Sequence, residues 1–135
     1  MLELTDICKY IKSKADVGEG ITTGIIDEKS KKCIGVYDNN RSEKPRMTLG
    51  GAKNIRYSKK KISILVHWGI SLQEAQRKAD EIKELFSGKS DIHIGSSHIA
   101  FFLPSEPQCI GFTGEKIYEY VVSVEIYINK EEETQ

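Results

Sequence analysis

The residues of this 135-residue chain with the most chemical reach are its histidines, cysteines and paired glycines. His93 and His98 lie five residues apart, which on one extended strand puts them on opposite faces, so they cannot share a metal ion without a bend. His67 closes an apolar stretch beside Trp68, and all three histidines read as ordinary surface or half-buried side chains. Cys8, Cys33 and Cys109 are odd in number and far apart, with no C-x-x-C pair. They read as small buried hydrophobes, with no disulfide framework. Gly50-Gly51 followed by Lys53 is a faint likeness of a phosphate cradle, without the full glycine spacing or the strand-to-helix context such a loop needs. Asp80, Glu81 and Glu84 fall on the outer side of a helical stretch and read as solvated. G-x-S-x-G, H-E-x-x-H, P-loop and G-x-G-x-x-G motifs do not occur. The expectation is a protein that is not an enzyme, with no catalytic residue, cofactor or metal.

The totals point the same way. A formal net charge of zero gives no global attraction to nucleic acid or an anionic membrane. Apolar residues make up 39% and charged residues 30%, a globular balance. No apolar run approaches the roughly 20 residues a membrane helix needs. The first residues, Met-Leu-Glu-Leu-Thr-Asp, lack the apolar segment of a secretory signal, so the cytoplasm is the expected place of synthesis.

The elements that would position any site follow from periodicity. A helix is predicted from about Thr5 to Lys14, with Leu4, Ile7, Cys8 and Ile11 on one stripe and Lys12 and Lys14 near its negative end. Ile21 to Ile26 and Lys32 to Tyr37 flank Asp27-Glu28-Lys29-Ser30, a turn of hairpin length. Tyr57 to Trp68 is a strand with Ile62, Ile64, Val66 and Trp68 on one face, and Leu65 opposite suggests partial cover there. Ser71 and Glu74 form a capping box for a helix whose stripe is Leu72, Ala75, Ala79, Ile82 and Phe86. A Glu74–Lys78 pair supports that helix and Gly88 closes it. Ile92 to Phe102 and Gln108 to Thr113 read as strands, with Pro104 and Pro107 bending the connection. The last strand alternates almost perfectly: Tyr118, Tyr120, Val122, Val124, Ile126 and Ile128 on one face, Glu119, Val121, Ser123, Glu125, Tyr127 and Asn129 on the other.

This order implies an α+β fold, a mostly antiparallel sheet of about five to six strands with two helices packed on one face. Residues 1–129 are expected to form a single domain with a long loop at 38–60, and residues 130–135 a charged tail. Between Arg41 and Lys61 the chain holds eight basic residues against one acid, Glu43. That asymmetry allows a contact with an acidic protein surface or, alternatively, a small nucleic-acid-binding domain using the basic 41–61 loop. Only Tyr57 could stack on a base there, which counts against the second.

Three segments together carry a family resemblance: Lys61 to Gly69 running into Ser71 to Phe86, then Pro107-Gln-Cys-Ile-Gly-Phe-Thr-Gly114, then Ile117 to Tyr127. Their order resembles the minor capsid and tail-completion (tail terminator) proteins of tailed bacteriophages and prophages. Ile34-Gly-Val-Tyr37, with a loop to Leu49-Gly50-Gly51, resembles the first half of that family. The resemblance covers about 100 of the 135 residues. It implies a structural virion subunit at the tail and neck, forming a homo-oligomeric ring, most often a hexamer. Its partners would be tail-tube and head-connector proteins, with passing contact to DNA in the lumen and none to a membrane. The family supplies no catalytic residues. The expected subunit contacts are Arg41, Lys44, Arg46 and Lys53 on the loop, and Val121 and Tyr127 on the odd face of the last strand.

Overall fold

The computed structural model describes residues 2–27, 29–39, 57–113 and 116–129. Arg41, Lys44, Arg46 and Lys53, the Gly50-Gly51 pair, most of the 38–60 loop and the 130–135 tail lie outside the described residues.

Helix α1 spans Leu4–Lys14, one residue longer than the apolar stripe predicts, and buries Ile7, Cys8 and Ile11. At its start the Glu3 backbone N–H donates to the Asp6 carboxylate at 3.0 Å, using a donor that the helix leaves unpaired. Strands β1 (Ile21–Thr23) and β2 (Lys32–Asp38) follow. They are not the expected hairpin: β1 runs parallel to β2, with Ile21 opposite Ile34 and Thr23 opposite Val36. The Asp27–Ser30 turn does form, since the Asp27 carboxylate accepts from Lys29 N–H and its carbonyl from Ser30 N–H, both at 3.0 Å. That turn reverses a crossover rather than closing a ladder, because Ile26 leaves the strand to bury itself on the sheet.

Strand β3 (Tyr57–Trp68) is central, antiparallel to β2 on one side and to β7 (Tyr118–Asn129) on the other. Helix α2 (Leu72–Glu84) starts at Ser71, whose hydroxyl accepts from the Glu74 N–H at 3.3 Å. The Glu74 carboxylate does not reach Lys78 as expected; it pairs with Lys32 at 3.5 Å. Lys78 is nearly buried instead, its ammonium donating to the Asp16 carbonyl at 3.0 Å, pairing with Glu81 at 2.9 Å and lying over the Trp68 ring at 4.7 Å. A buried ammonium needs all of these partners to offset its lost hydration.

The stretch expected as one strand from Ile92 to Phe102 is a hairpin: β4 (Ser90–Ile94) and β5 (Ser97–Pro104), joined at Gly95-Ser96. Gly95 has φ of 59°, a left-handed turn conformation that glycine adopts without penalty. Strand β6 (Gln108–Phe112) and β5 line the same edge of β7 in series, and the Ser105 N–H bridges the gap to the Ser123 carbonyl at 2.8 Å. Pro104 and Pro107 therefore break one strand line into two rather than turning it away.

The sheet order is β1-β2-β3-β7-β5-β4, with β6 beside β7. The seven strands among the described residues exceed the expected five to six; the extra one comes from the β4–β5 hairpin. The α+β class, the mostly antiparallel sheet and the two helices are as the sequence indicated. The even face of β7, with Ile62, Ile64, Val66, Ile34 and Val36, packs under both helices in one apolar cluster. Phe86 sits edge-on to Phe102 at 5.0 Å and 5.7 Å from Tyr10, whose hydroxyl donates to the Leu85 carbonyl at 3.0 Å.

Candidate functional site

Among the described residues the odd face of the sheet carries no helix, and its two ends differ. Across β7 and β3 this face pairs Glu119 with His67, Val121 with Leu65, Ser123 with Ser63, Glu125 with Lys61 and Tyr127 with Lys59. The crossover at 24–31 closes one end. Ile26 lies so close to Gly35 that a β-carbon there would come within 2.7 Å of the Ile26 methyl. His67 is fully buried under this segment, not half-exposed as expected. Its Nδ1 stands 2.7 Å from the Glu119 carboxylate and its Nε2 2.8 Å from the Ser30 carbonyl. The ring is held between two acceptors and has no open approach, so it pins the crossover to the sheet.

Cys33 is the cross-strand neighbour of His67 and is buried with it. Burial, then the nearby charges of Glu19, Asp27 and Glu119, push its thiol from 9.0 up to about 11, against an opposing hydrogen bond from Ser30. Burial also raises Cys8, and Tyr37 on the same face is raised by burial and by Glu119. Cys8 and Cys33 are the buried hydrophobes expected, whereas Cys109 is exposed. A thiol-selective reagent is expected to label Cys109 first and to reach the other two only on unfolding, checked by mass spectrometry of the native and denatured protein. A raised folded-state value places the Cys33 stability in full below the unfolded value near 9.0, and it is lost as pH rises towards 11. Cys33→Ala is expected to flatten the fall in stability over that alkaline window, read by denaturation at successive pH values.

Among the described residues the opposite end is open. Phe101 stacks on Tyr127 at 4.5 Å, and Tyr57 meets the two rings edge-on at 5.9 and 6.5 Å. Tyr57 is 45% exposed and Leu103, beside the cluster, 51%. The Tyr127 hydroxyl donates to Glu125 at 3.0 Å, and Lys59 and Lys61 approach the same carboxylate at 3.6 and 3.8 Å. Lys61, Leu103, Ser105, Ser123 and Glu125 line a shallow open groove there. Val121 and Tyr127 thus lie on one half-buried face, as the alternation indicated, with Val121 between the sealed end and the open one.

The basic run is also altered. Lys59, Lys60 and Lys61 lie in β3, as the Tyr57–Trp68 strand indicated, outside any loop that would present the whole basic run, and Lys60 pairs with Asp38 at 3.7 Å. His93 and His98, expected on opposite faces of one strand, are opposite each other across the β4–β5 hairpin with rings stacked at 4.6 Å. Asn129 donates to His98 Nδ1 at 2.9 Å, and Asp91 contacts His98 Nε2. Among the described residues no three histidine, cysteine, aspartate or glutamate side chains gather as a metal site. Asp80, Glu81 and Glu84 are exposed on α2. The Gly-Ser dipeptide at 95–96 was the signal for the hairpin. The aromatic cluster had none, because its rings come from three separate strands.

Fold and surface define a sheet-and-helix protein with one face devoted to its core and the other half open. A family model described as "Bacteriophage tail terminator protein" matches residues 10–130, and the chain belongs to that family. It is a structural protein of the phage tail and a component of the virion. No curated protein sequence matches the chain. One solved structure aligns over 81% of this chain and 78% of its own at 14% identity and a TM-score of 0.49, a likeness that carries no argument here. No described helix is long and apolar enough to cross a membrane.

Proposed function

We propose that this chain is the ring-forming subunit that ends a phage tail and joins it to the head-side connector, six copies closing one ring. The reading rests on family membership together with the open end of the odd face, where Tyr57, Phe101 and Tyr127 leave aromatic surface half exposed. Exposed aromatic side chains are enriched at protein interfaces, whose rims are polar. Residues 1–129 act as one unit, and Val121 and Tyr127 lie in or beside a subunit contact. Arg41, Lys44, Arg46 and Lys53 meet acidic surface on a neighbouring copy, and DNA passes through the lumen. Assembly takes place in the host cytoplasm. The nucleic-acid alternative is weaker, because Lys59, Lys60 and Lys61 already face Glu125 and Asp38 within the chain.

Tyr127→Asp is expected to lower the oligomer mass by native mass spectrometry, alone or on isolated tails, while leaving the circular dichroism of the subunit unchanged. An unchanged mass would remove Tyr127 from the interface.

A further inference from the structure

Five strands of the sheet share one level. Thr22 of β1 is opposite Gly35 of β2, Gly35 opposite Leu65 of β3, Leu65 opposite Val121 of β7, and Val121 opposite Gln108 of β6. The two ends of this band, β1 and β6, each pair on one side only among the described residues. Each therefore presents an unpaired row of backbone N–H and C=O groups.

Neither edge carries the charged side chains that commonly keep strands apart. No charged residue occurs from Gly20 to Ile26, or from Gln108 to Thr113. Thr22 and Thr23 are both exposed although a strand points them to opposite faces, and Gln108, Cys109 and Ile110 are exposed in succession. A bulge between Cys109 and Gly111 displaces Ile110 from the ladder and leaves it 55% exposed. Ile25, just past β1, is 91% exposed. The third free edge, β4, is blunted: Lys89 precedes it and Asp91 within it has φ of 55°.

Resting on the ring reading above, we infer that the β6 edge of one copy pairs with the β1 edge of the next, so that the five-strand band continues from subunit to subunit. The directions agree. β1 is parallel to β2, β2 antiparallel to β3, β3 to β7 and β7 to β6, so β6 runs opposite to β1. Copies placed side by side in the same orientation bring the two edges together as an antiparallel pair. The partner is a second copy of this chain because the two edges are different, lie at one level and are both uncharged. Such a contact is heterologous and leaves the same two edges free on every added copy until the ring closes. Pairing of β6 with β6 would be two-fold and would stop at a dimer.

The test uses the full chain carrying Ile21→Cys together with the native Cys109, which share one level across Ile34, Val66 and Tyr120 and lie on the same face of the band. Cys8 and Cys33 are buried and stay out of the reaction. Mild oxidation of the assembled protein, free or on isolated tails, is expected to give a ladder of disulfide-linked multimers that Cys109→Ser abolishes. Ile110→Lys is expected to lower the assembled fraction at least tenfold with an unchanged subunit spectrum. A ring of full mass with no ladder would overturn the edge pairing and leave the ring reading standing. Cross-linked dimers through Cys109 alone would also overturn it, in favour of two-fold pairing. No oligomer of any size, on tails or free, would overturn both.

Discussion

Replacing Phe86 with alanine is expected to cost about 3–5 kcal/mol, the range for deleting a buried aromatic ring. Phe86 is fully buried just beyond the end of α2. It packs edge-on against Phe102 of β5 and close to Tyr10 of α1, so one ring ties both helices to the sheet. The cavity left behind would border the Tyr10 and Phe102 rings and the Tyr10–Leu85 hydrogen bond. Urea denaturation should show a lower midpoint with an unchanged slope, and the melting temperature should fall by roughly ten degrees. A loss under about 1 kcal/mol would mean that the helices are held mainly by other contacts.

The second large effect is at Glu119. Alanine there removes the carboxylate that His67 Nδ1 faces at 2.7 Å and leaves a fully buried ring nitrogen without its partner. An orphaned buried polar group costs about 1–3 kcal/mol, more when its partner was charged. The loss should be larger than the hydrogen bond alone implies, because the same ring holds the Ser30 carbonyl and with it the crossover. Glu119→Gln retains an acceptor and should lose less, so the gap between the two variants isolates the hydrogen bond from the packing. Hydrogen exchange is the direct readout: residues 24–31 should lose protection in Glu119→Ala and keep most of it in Glu119→Gln. Equal protection in both would show that Ile26 against Gly35 seals this end unaided.

Both effects concern parts of the fold that the sequence made legible to different degrees. The helices and the long strands were readable because each carries its own periodicity over ten or more residues: Ile7 and Ile11, Ala75 and Ala79, and the even positions of β7. What failed was local. Ile21 to Ile26 alternates too little to tell a strand from a crossover, and its three paired residues gain their partners from a strand that lies beyond the turn. The β4–β5 reversal rests on two residues, Gly95 and Ser96, inside a stretch that otherwise scores as continuous strand. The burial of His67 had no signal at all, since its partners Glu119 and Ser30 are 52 and 37 residues away. The candidate surface divides in the same way. The alternation placed Val121 and Tyr127 on one face, but only the sheet order shows Tyr127 stacked on Phe101 and edge-on to Tyr57. The free edges of β1 and β6 become visible as one level only when four ladders are read across.

The proposed end-of-tail role is tested by polymerising tail-tube subunits in the presence of this protein, carrying Cys109→Ser to remove its exposed thiol and gold-labelled through an added tag. Label is expected at one end of each tube, with a ring-shaped cap in negative-stain images and tubes that stop growing once capped. Label scattered along the tube wall, or tubes that elongate past the labelled position, would contradict it.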